Sequence, residues 1–214
     1  MDIVLYYAPI TCALVPFVTL TEAKAEFQVR PINLRKRQQM APDYMNLNPK
    51  HKVPTLVVDG RPLTENVAIQ IWIARNFPHA KLLPADSWQE MKAISIMAWC
   101  ASGMHPHLSR INSPMKFCDT PGSEDAVRRI ATTQLCEYYR IADDWLAGRD
   151  FFFDHFTAAD AHVFWCFRRG LQFDLDLTGF KHCLAHYERM MHRPSIHKVI
   201  AFEKDTQAAF AKAA

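Results

Sequence analysis

Val53-Pro54-Thr55-Leu56-Val57-Val58-Asp59-Gly60-Arg61-Pro62-Leu63-Thr64-Glu65-Asn66 is the stretch whose reading decides the fold. Thr55 to Val58 is a short run of β-branched and apolar residues, which reads as a strand. Asp59-Gly60 supplies turn chemistry, because glycine accepts the positive φ that a tight reversal needs. Arg61-Pro62-Leu63 can pair back as the second arm of a hairpin, with its proline suited to a sheet edge. Thr64 or Glu65 then starts a helix that runs through Val67, Ile69, Trp72 and Ile73 to about Asn76. Pro54 directly precedes the strand. A trans proline at a strand edge and a cis proline that turns the preceding backbone outward both fit that place.

Working outward toward the N-terminus, Ile3-Val4-Leu5-Tyr6-Tyr7 reads as a buried strand and Ala8 to Thr11 as a loop. A helix is expected from Cys12 to about Ala25, with Pro16 near its start, where a missing N–H costs least. Phe27 to Ile32 alternates and predicts a second strand. Residues 38–47 predict a short, irregular helical stretch. The order β-α-β-α-β-β-α within about 77 residues implies a mixed sheet with helices packed on it. It fits a thioredoxin-like unit, in which the position of Pro54 holds a cis proline.

Residues 78–86, with Pro78 and Pro84, predict a linker between residues 1–77 and residues 87–214. Beyond it no strand is expected. Apolar residues recur at helical spacing in 88–109, 124–147, 158–169, 180–191 and 195–212, which predicts an all-α helical bundle. Thr157-Ala158-Ala159-Asp160 is a capping box, in which threonine and the acidic residue three positions on satisfy free N–H groups reciprocally. Its role is structural.

Bulk composition narrows the function classes. The chain has 214 residues, 50% hydrophobic and 22% charged, so it can bury a sizeable core. A net charge of +3, with Lys and Arg dispersed, does not suggest nucleic-acid binding. Met1 to Tyr7 does not read as a secretory leader, and no run of about 18 apolar residues predicts a membrane span. The six cysteines form no CxxC pair, so reduced thiols in a cytoplasmic setting are expected. Ten histidines raise the question of a metal, but four ligands at zinc-like spacing cannot be assembled from one region, and none is expected.

Three places carry candidate chemistry. Backbone groups of Val53, exposed by a cis bond to Pro54, could pair with an extended peptide as an added strand would. At Thr64-Glu65-Asn66 a helix N-terminus offers N–H groups to a carboxylate, Glu65 offers an acceptor to an ammonium group, and Asn66 offers a side-chain amide. Plain helix capping by Thr64 or Asn66 would also explain these residues. Cys12 lies where the first strand leads into the first helix. A thiol there is expected to have a lowered pKa. It could form a mixed disulfide with a bound thiol, donate a hydrogen bond to a thiolate, or serve only as a small buried residue. Thr11 and Tyr7 are rival donors.

The spacing Tyr6-Tyr7-x-Pro9-x-x-Cys12-x-Leu14-x-Pro16, then Asn48-Pro49-x-x-x-Val53-Pro54-x-Leu56, then Leu63-Thr64-Glu65-x-x-Ala68-Ile69 resembles the glutathione transferase family, most closely its bacterial beta class. The Thr157 to Asp160 box agrees. That resemblance implies glutathione as co-substrate and a homodimer. It makes Cys12 the residue at the glutathione sulfur. Val53 and Pro54 would take the cysteinyl backbone, Glu65 and Asn66 the γ-glutamyl end, and Lys36 or Arg37 the glycine carboxylate. Ser102 and His105 would approach from the helical half, with Cys12, Thr11 and His105 as the catalytic set. Ala13, Asn66, Ala98 and Pro106 depart from residues usual in the class. The implied reaction conjugates glutathione to a small apolar electrophile, a detoxification chemistry. Two alternatives are glutathione-dependent disulfide exchange or reductive dehalogenation through Cys12, and a non-catalytic ligand-binding module.

Overall fold

A computed structural model describes residues 1–212. The chain forms two compact units, one of Met1–Leu83 together with His192 onward, the other of Pro84–Met191.

In the first unit β1 (Ile3–Tyr7), α1 (Leu14–Glu22), β2 (Gln28–Pro31), α2 (Pro42–Leu47), β3 (Thr55–Val58), β4 (Arg61–Thr64) and α3 (Asn66–Asn76) follow in the expected order. The sheet order is β2-β1-β3-β4, with β1 and β2 parallel and the other two pairs antiparallel. Register Tyr6↔Thr55 sets the end of β1 beside the start of β3. The Val53-Pro54 bond is cis.

α1 is shorter than the sequence predicts. Ile10 has φ 71, a left-handed conformation that no helix can continue through, and the chain turns through Thr11 and Cys12 before Leu14. At the other end Lys24 has φ 51 and the Ala25 N–H reaches back to the Leu20 carbonyl, the closure of a helix by a left-handed residue.

The last helix, α9 (Pro194–Lys212), belongs to the first compact unit, so the units divide at His192 as well as after Leu83. Its buried residues Ser195, Ile196, Val199, Glu203 and Thr206 recur at helical spacing. Phe202 packs edge-on to Tyr7 at 5.6 Å and tilts against Phe17 at 5.4 Å. Arg193 grips the Glu22 carboxylate at 2.8 and 2.9 Å, and the Ser195 hydroxyl donates to the same group. These contacts bind α9 to α1.

The second unit is helical throughout its regular elements: α4 (Ser87–Trp99), α5 (His105–Asn112), α6 (Glu124–Leu146), α7 (Ala158–Leu171) and α8 (Lys181–Met191). One helix was expected over 88–109, but a π-turn at Cys100–Met104 divides it. Pro106 has no N–H to give to the carbonyl four residues back, and the His105 N–H bonds Cys100 five back instead. α7 is buried on nearly every side. Its Asp160 accepts from the Thr157 N–H and hydroxyl, both at 2.8 Å, and from the Phe152 N–H at 3.0 Å, with the His186 ring at 3.2 Å. The capping box therefore also anchors the loop before α7 and helix α8. Gly170 leaves room for Tyr139, whose hydroxyl lies 2.7 Å from where a β-carbon would stand and donates to the Cys166 carbonyl.

Burial alone would raise the pKa of Glu22, but hydrogen bonds from Arg193 and Ser195 and the Arg193 charge outweigh it, and the pKa falls. A lowered carboxylate pKa contributes stability above the ordinary value of 4.5 that is lost as pH drops through the folded value. Glu22→Gln is expected to cost about 1–3 kcal/mol at pH 7, with the gap to the parent protein closing in acid. Thermal unfolding at a series of pH values measures this. A gap that persists below the carboxylate range would contradict the assignment.

Candidate functional site

The candidate site lies in the first unit, where the β1–α1 turn, the approach to β3 and the start of α3 converge. Cys12 is 7% exposed, and its Sγ donates to the Val53 carbonyl at 3.6 Å. The Val53 N–H has no partner among the described residues. A strand-like ligand would thus find one free backbone donor at Val53 and an acceptor now held by a weak S–H bond.

The loop ahead of Val53 is fastened by Asn48, read from the sequence only as part of the spacing motif, and by Tyr44. Asn48, 1% exposed, donates through its side chain to the Lys52 carbonyl and to Thr55 Oγ1, and accepts from the Lys50 N–H. The Tyr44 hydroxyl also donates to the Lys52 carbonyl and bonds Thr55 Oγ1 at 2.9 Å. The signal for Asn48 was visible, since Asn-Pro favours a side-chain-closed turn. Tyr44 gave none.

At the start of α3 the N–H groups of Asn66, Val67 and Ala68 have no acceptor among the described residues. Helix-end N–H groups with the positive end of the helix dipole form a seat for a carboxylate. Glu65 stands at the N-cap position with φ 70 and ψ 122, and its side chain makes no bond to them. An L-residue there stores about 1–3 kcal/mol of backbone strain, a pattern concentrated at ligand clamps. Its exposed carboxylate takes an ammonium group already: Lys50 Nζ lies 2.5 Å from Glu65 Oε1 and 2.6 Å from Thr64 Oγ1.

Asn66 differs from its expected role. Its side chain is 7% exposed and turned inward, where Nδ2 donates to the Cys12 carbonyl at 2.9 Å and Oδ1 accepts from Gln70 at 3.3 Å. Thr11 is also occupied, its hydroxyl donating to the Ala8 carbonyl at 2.7 Å and accepting from the Ala13 N–H. Tyr7 is fully buried, and its hydroxyl donates to Glu203 at 3.3 Å. Glu203, 4% exposed, accepts the Ile10 N–H at 2.7 Å as well, and so holds the left-handed residue of the Cys12 turn.

The expected lowering of the Cys12 pKa is reversed. Burial pushes the thiol up to about 12, with Glu65 adding to the rise, while the Cys12 backbone N–H, the Asn66 amide and the Lys52 charge oppose it. α1 begins two residues beyond Cys12, so the thiol is not seated on the helix end, and desolvation wins. Lys52 is the cation felt at this sulfur. Lys36 and Arg37 are exposed on the loop before Gln38, with the Lys36 N–H tied to Asn33 Oδ1 and Arg37 at φ 55.

Ser102 and His105 lie in the second unit. Ser102 Oγ, in the π-turn, donates back to the Ala98 carbonyl on α4. His105 opens α5 with its ring edge-on to Trp165 at 4.7 Å. Among the described residues, no group of three His, Cys, Asp or Glu could hold a metal ion.

Residues 1–75 match the family model "Glutathione S-transferase, N-terminal domain", and residues 96–194 match "Glutathione S-transferase, C-terminal domain". The chain is 31% identical over 205 residues to glutathione S-transferase GstA of Escherichia coli O157:H7, covering 93% of this chain and 98% of that one. It belongs to the glutathione S-transferase family. This is a family of transferase enzymes, and the protein is a glutathione transferase enzyme by that descent. Among solved structures, the bacterial beta-class glutathione S-transferase of Sphingomonas chungbukensis superposes with a TM-score of 0.82 at 28% identity, over 94% of this chain and 98% of that one. A sphingomonad glutathione S-transferase complexed with glutathione gives 0.83 at 26% identity, over the same shares. The four-stranded mixed sheet with its helices is therefore a glutathione S-transferase N-terminal domain.

With its thiol pKa at about 12 against an ordinary 9.0, Cys12 of this glutathione S-transferase is expected to resist alkylation at pH 8. Its thiolate population there is roughly a thousandfold below that of an exposed cysteine. Peptide mass analysis after timed iodoacetamide treatment measures it. Cys12 reacting as fast as free cysteine would refute the assignment.

Proposed function

We propose that the protein conjugates the thiol of glutathione to small apolar electrophiles. Observations within one unit support this reading together: an unpartnered backbone N–H at Val53, helix-end N–H groups aligned for a carboxylate at Asn66 to Ala68, and an ammonium-binding carboxylate at Glu65. Glutathione offers matching groups, namely a peptide cysteinyl centre and an α-amino acid at its γ-glutamyl end. In this reading the ligand's ammonium replaces Lys50 at Glu65. The glycine carboxylate then falls to a cation, with Lys52 joining Lys36 and Arg37 as candidates. The relative that holds glutathione in its solved structure supports the same ligand.

The state of Cys12 favours conjugation over disulfide exchange. A nucleophilic cysteine must ionise near neutral pH, whereas a hydrogen-bond donor must stay protonated. A thiol pushed up to about 12 stays protonated and can turn its S–H from the Val53 carbonyl to a glutathione thiolate. Catalysis then consists of stabilising that thiolate and holding it near the electrophile. His105 and Ser102 are proposed as contributions of the helical unit, which would also supply an apolar wall.

We further infer a homodimer in the cytoplasm. Trp88 and Met91, one turn apart on α4, are 68% and 49% exposed, which suits a surface that a second copy covers. Among the described residues no disulfide joins the six cysteines, which suits a reducing compartment. Among the described residues no helix is long and apolar enough to cross a membrane.

Glu65→Gln is expected to weaken glutathione binding about 10- to 100-fold, the loss of a hydrogen bond to a charged group. Calorimetric titration measures it. Thiolate absorbance of the bound ligand, followed against pH, tests activation. A Glu65→Gln affinity equal to the parent's, or a bound thiol pKa no lower than that of free glutathione, would overturn the reading.

A further inference from the structure

Asn66 and Gln70 are four residues apart on α3, so they share one helix face. Both side chains are buried, at 7% and 0% exposure, in a layer where α3 packs against α1. Burying two amides is costly unless they bond something definite. Gln70 Nε2 donates to Asn66 Oδ1 at 3.3 Å, and Asn66 Nδ2 donates to the Cys12 carbonyl at 2.9 Å. Gln70 Oε1 is left without a partner among the described residues. A buried amide that leaves its own acceptor unsatisfied while bracing another side chain is placed for that brace. The chain of bonds runs in one direction, from the α3 core to the turn that carries the thiol.

Asn66 is also the first residue of α3, so its backbone N–H forms part of the carboxylate seat. One residue therefore touches both ends of the site, with its main chain at the seat and its side chain at the Cys12 turn. We propose that Asn66, braced by Gln70, is a positioning residue that fixes the Cys12 turn and links occupancy of the carboxylate seat to the placement of the thiol. It does not grip ligand with its side chain. The amide also favours the Cys12 thiolate, in line with its closeness to the sulfur, where Lys52 acts with it and Glu65 against it.

This inference rests on the glutathione reading for its ligand but not for its geometry. The test compares the parent protein with Asn66→Ser and Gln70→Leu, using cysteine labelled with carbon-13 at the carbonyl. In the ligand-free protein, Asn66→Ser is expected to shift the Cys12 carbonyl resonance upfield, as the loss of an N–H donor requires, and Gln70→Leu to shift it less in the same direction. On glutathione titration the resonance should move further in the parent than in Asn66→Ser, where only direct contact of the ligand with Cys12 remains, while Kd by calorimetry changes by less than about twofold. Conjugation should then show kcat reduced about tenfold at an unchanged KM for glutathione. A Cys12 resonance unmoved by Asn66→Ser overturns the proposal. So does a Kd weakened about tenfold with kcat retained, because that identifies a ligand grip. If the parent protein fails to bind glutathione, the functional reading falls. The ligand-free comparison of Asn66→Ser and Gln70→Leu still decides the hold on Cys12.

Discussion

The antiparallel register of β1 on β3 is the constraint from which the site follows. Tyr6 opposite Thr55 leaves the chain beyond β1 and the chain before β3 at the same end of the sheet. Cys12 and Val53 are 41 residues apart in sequence, yet the thiol reaches the carbonyl at 3.6 Å. Leu5 pairs with Leu56, both fully buried, and a slip of one residue would turn one strand over relative to the other. Burial of those two leucines therefore keeps the backbone of Val53 facing the turn that carries Cys12.

That turn is not stable by its own chemistry. Ile10 is a β-branched residue in a left-handed conformation, which local preference opposes. It is held from two directions. Glu203 on α9 takes its N–H, and Asn66 on α3 takes the carbonyl of Cys12 two residues later. The helix α9 comes from the far end of the chain, and the Phe202, Tyr7 and Phe17 cluster with the Arg193–Glu22 pair keeps it in place. Stability and site geometry thus share the same contacts.

The two charges of the site act against each other on the thiol. Glu65 raises the pKa of Cys12, Lys52 lowers it, and burial exceeds both. A ligand whose ammonium pairs with Glu65 would keep that carboxylate neutralised, as Lys50 does without ligand. The resulting environment suits a protonated cysteine beside an anionic sulfur better than a free thiolate at Cys12.

The sequence by itself determined the element order, the hairpin at Asp59-Gly60, a helix start within Thr64 to Asn66, the capping box at Thr157, and the family resemblance through Cys12, Val53-Pro54 and Glu65. These are local signals, set by turn chemistry, periodicity and spacing within a few residues. It did not determine which side chains at the site point at a ligand. Asn66 looked like a ligand donor and turned inward, because an acceptor 54 residues away in sequence lay within reach. Cys12 looked like an activated thiol, but only packing reveals how much water it has lost. Glu203 and Gln70 carried no legible signal, since their partners come from distant segments. Tertiary structure alone decided those roles, because hydrogen bonding and desolvation depend on what is adjacent in space.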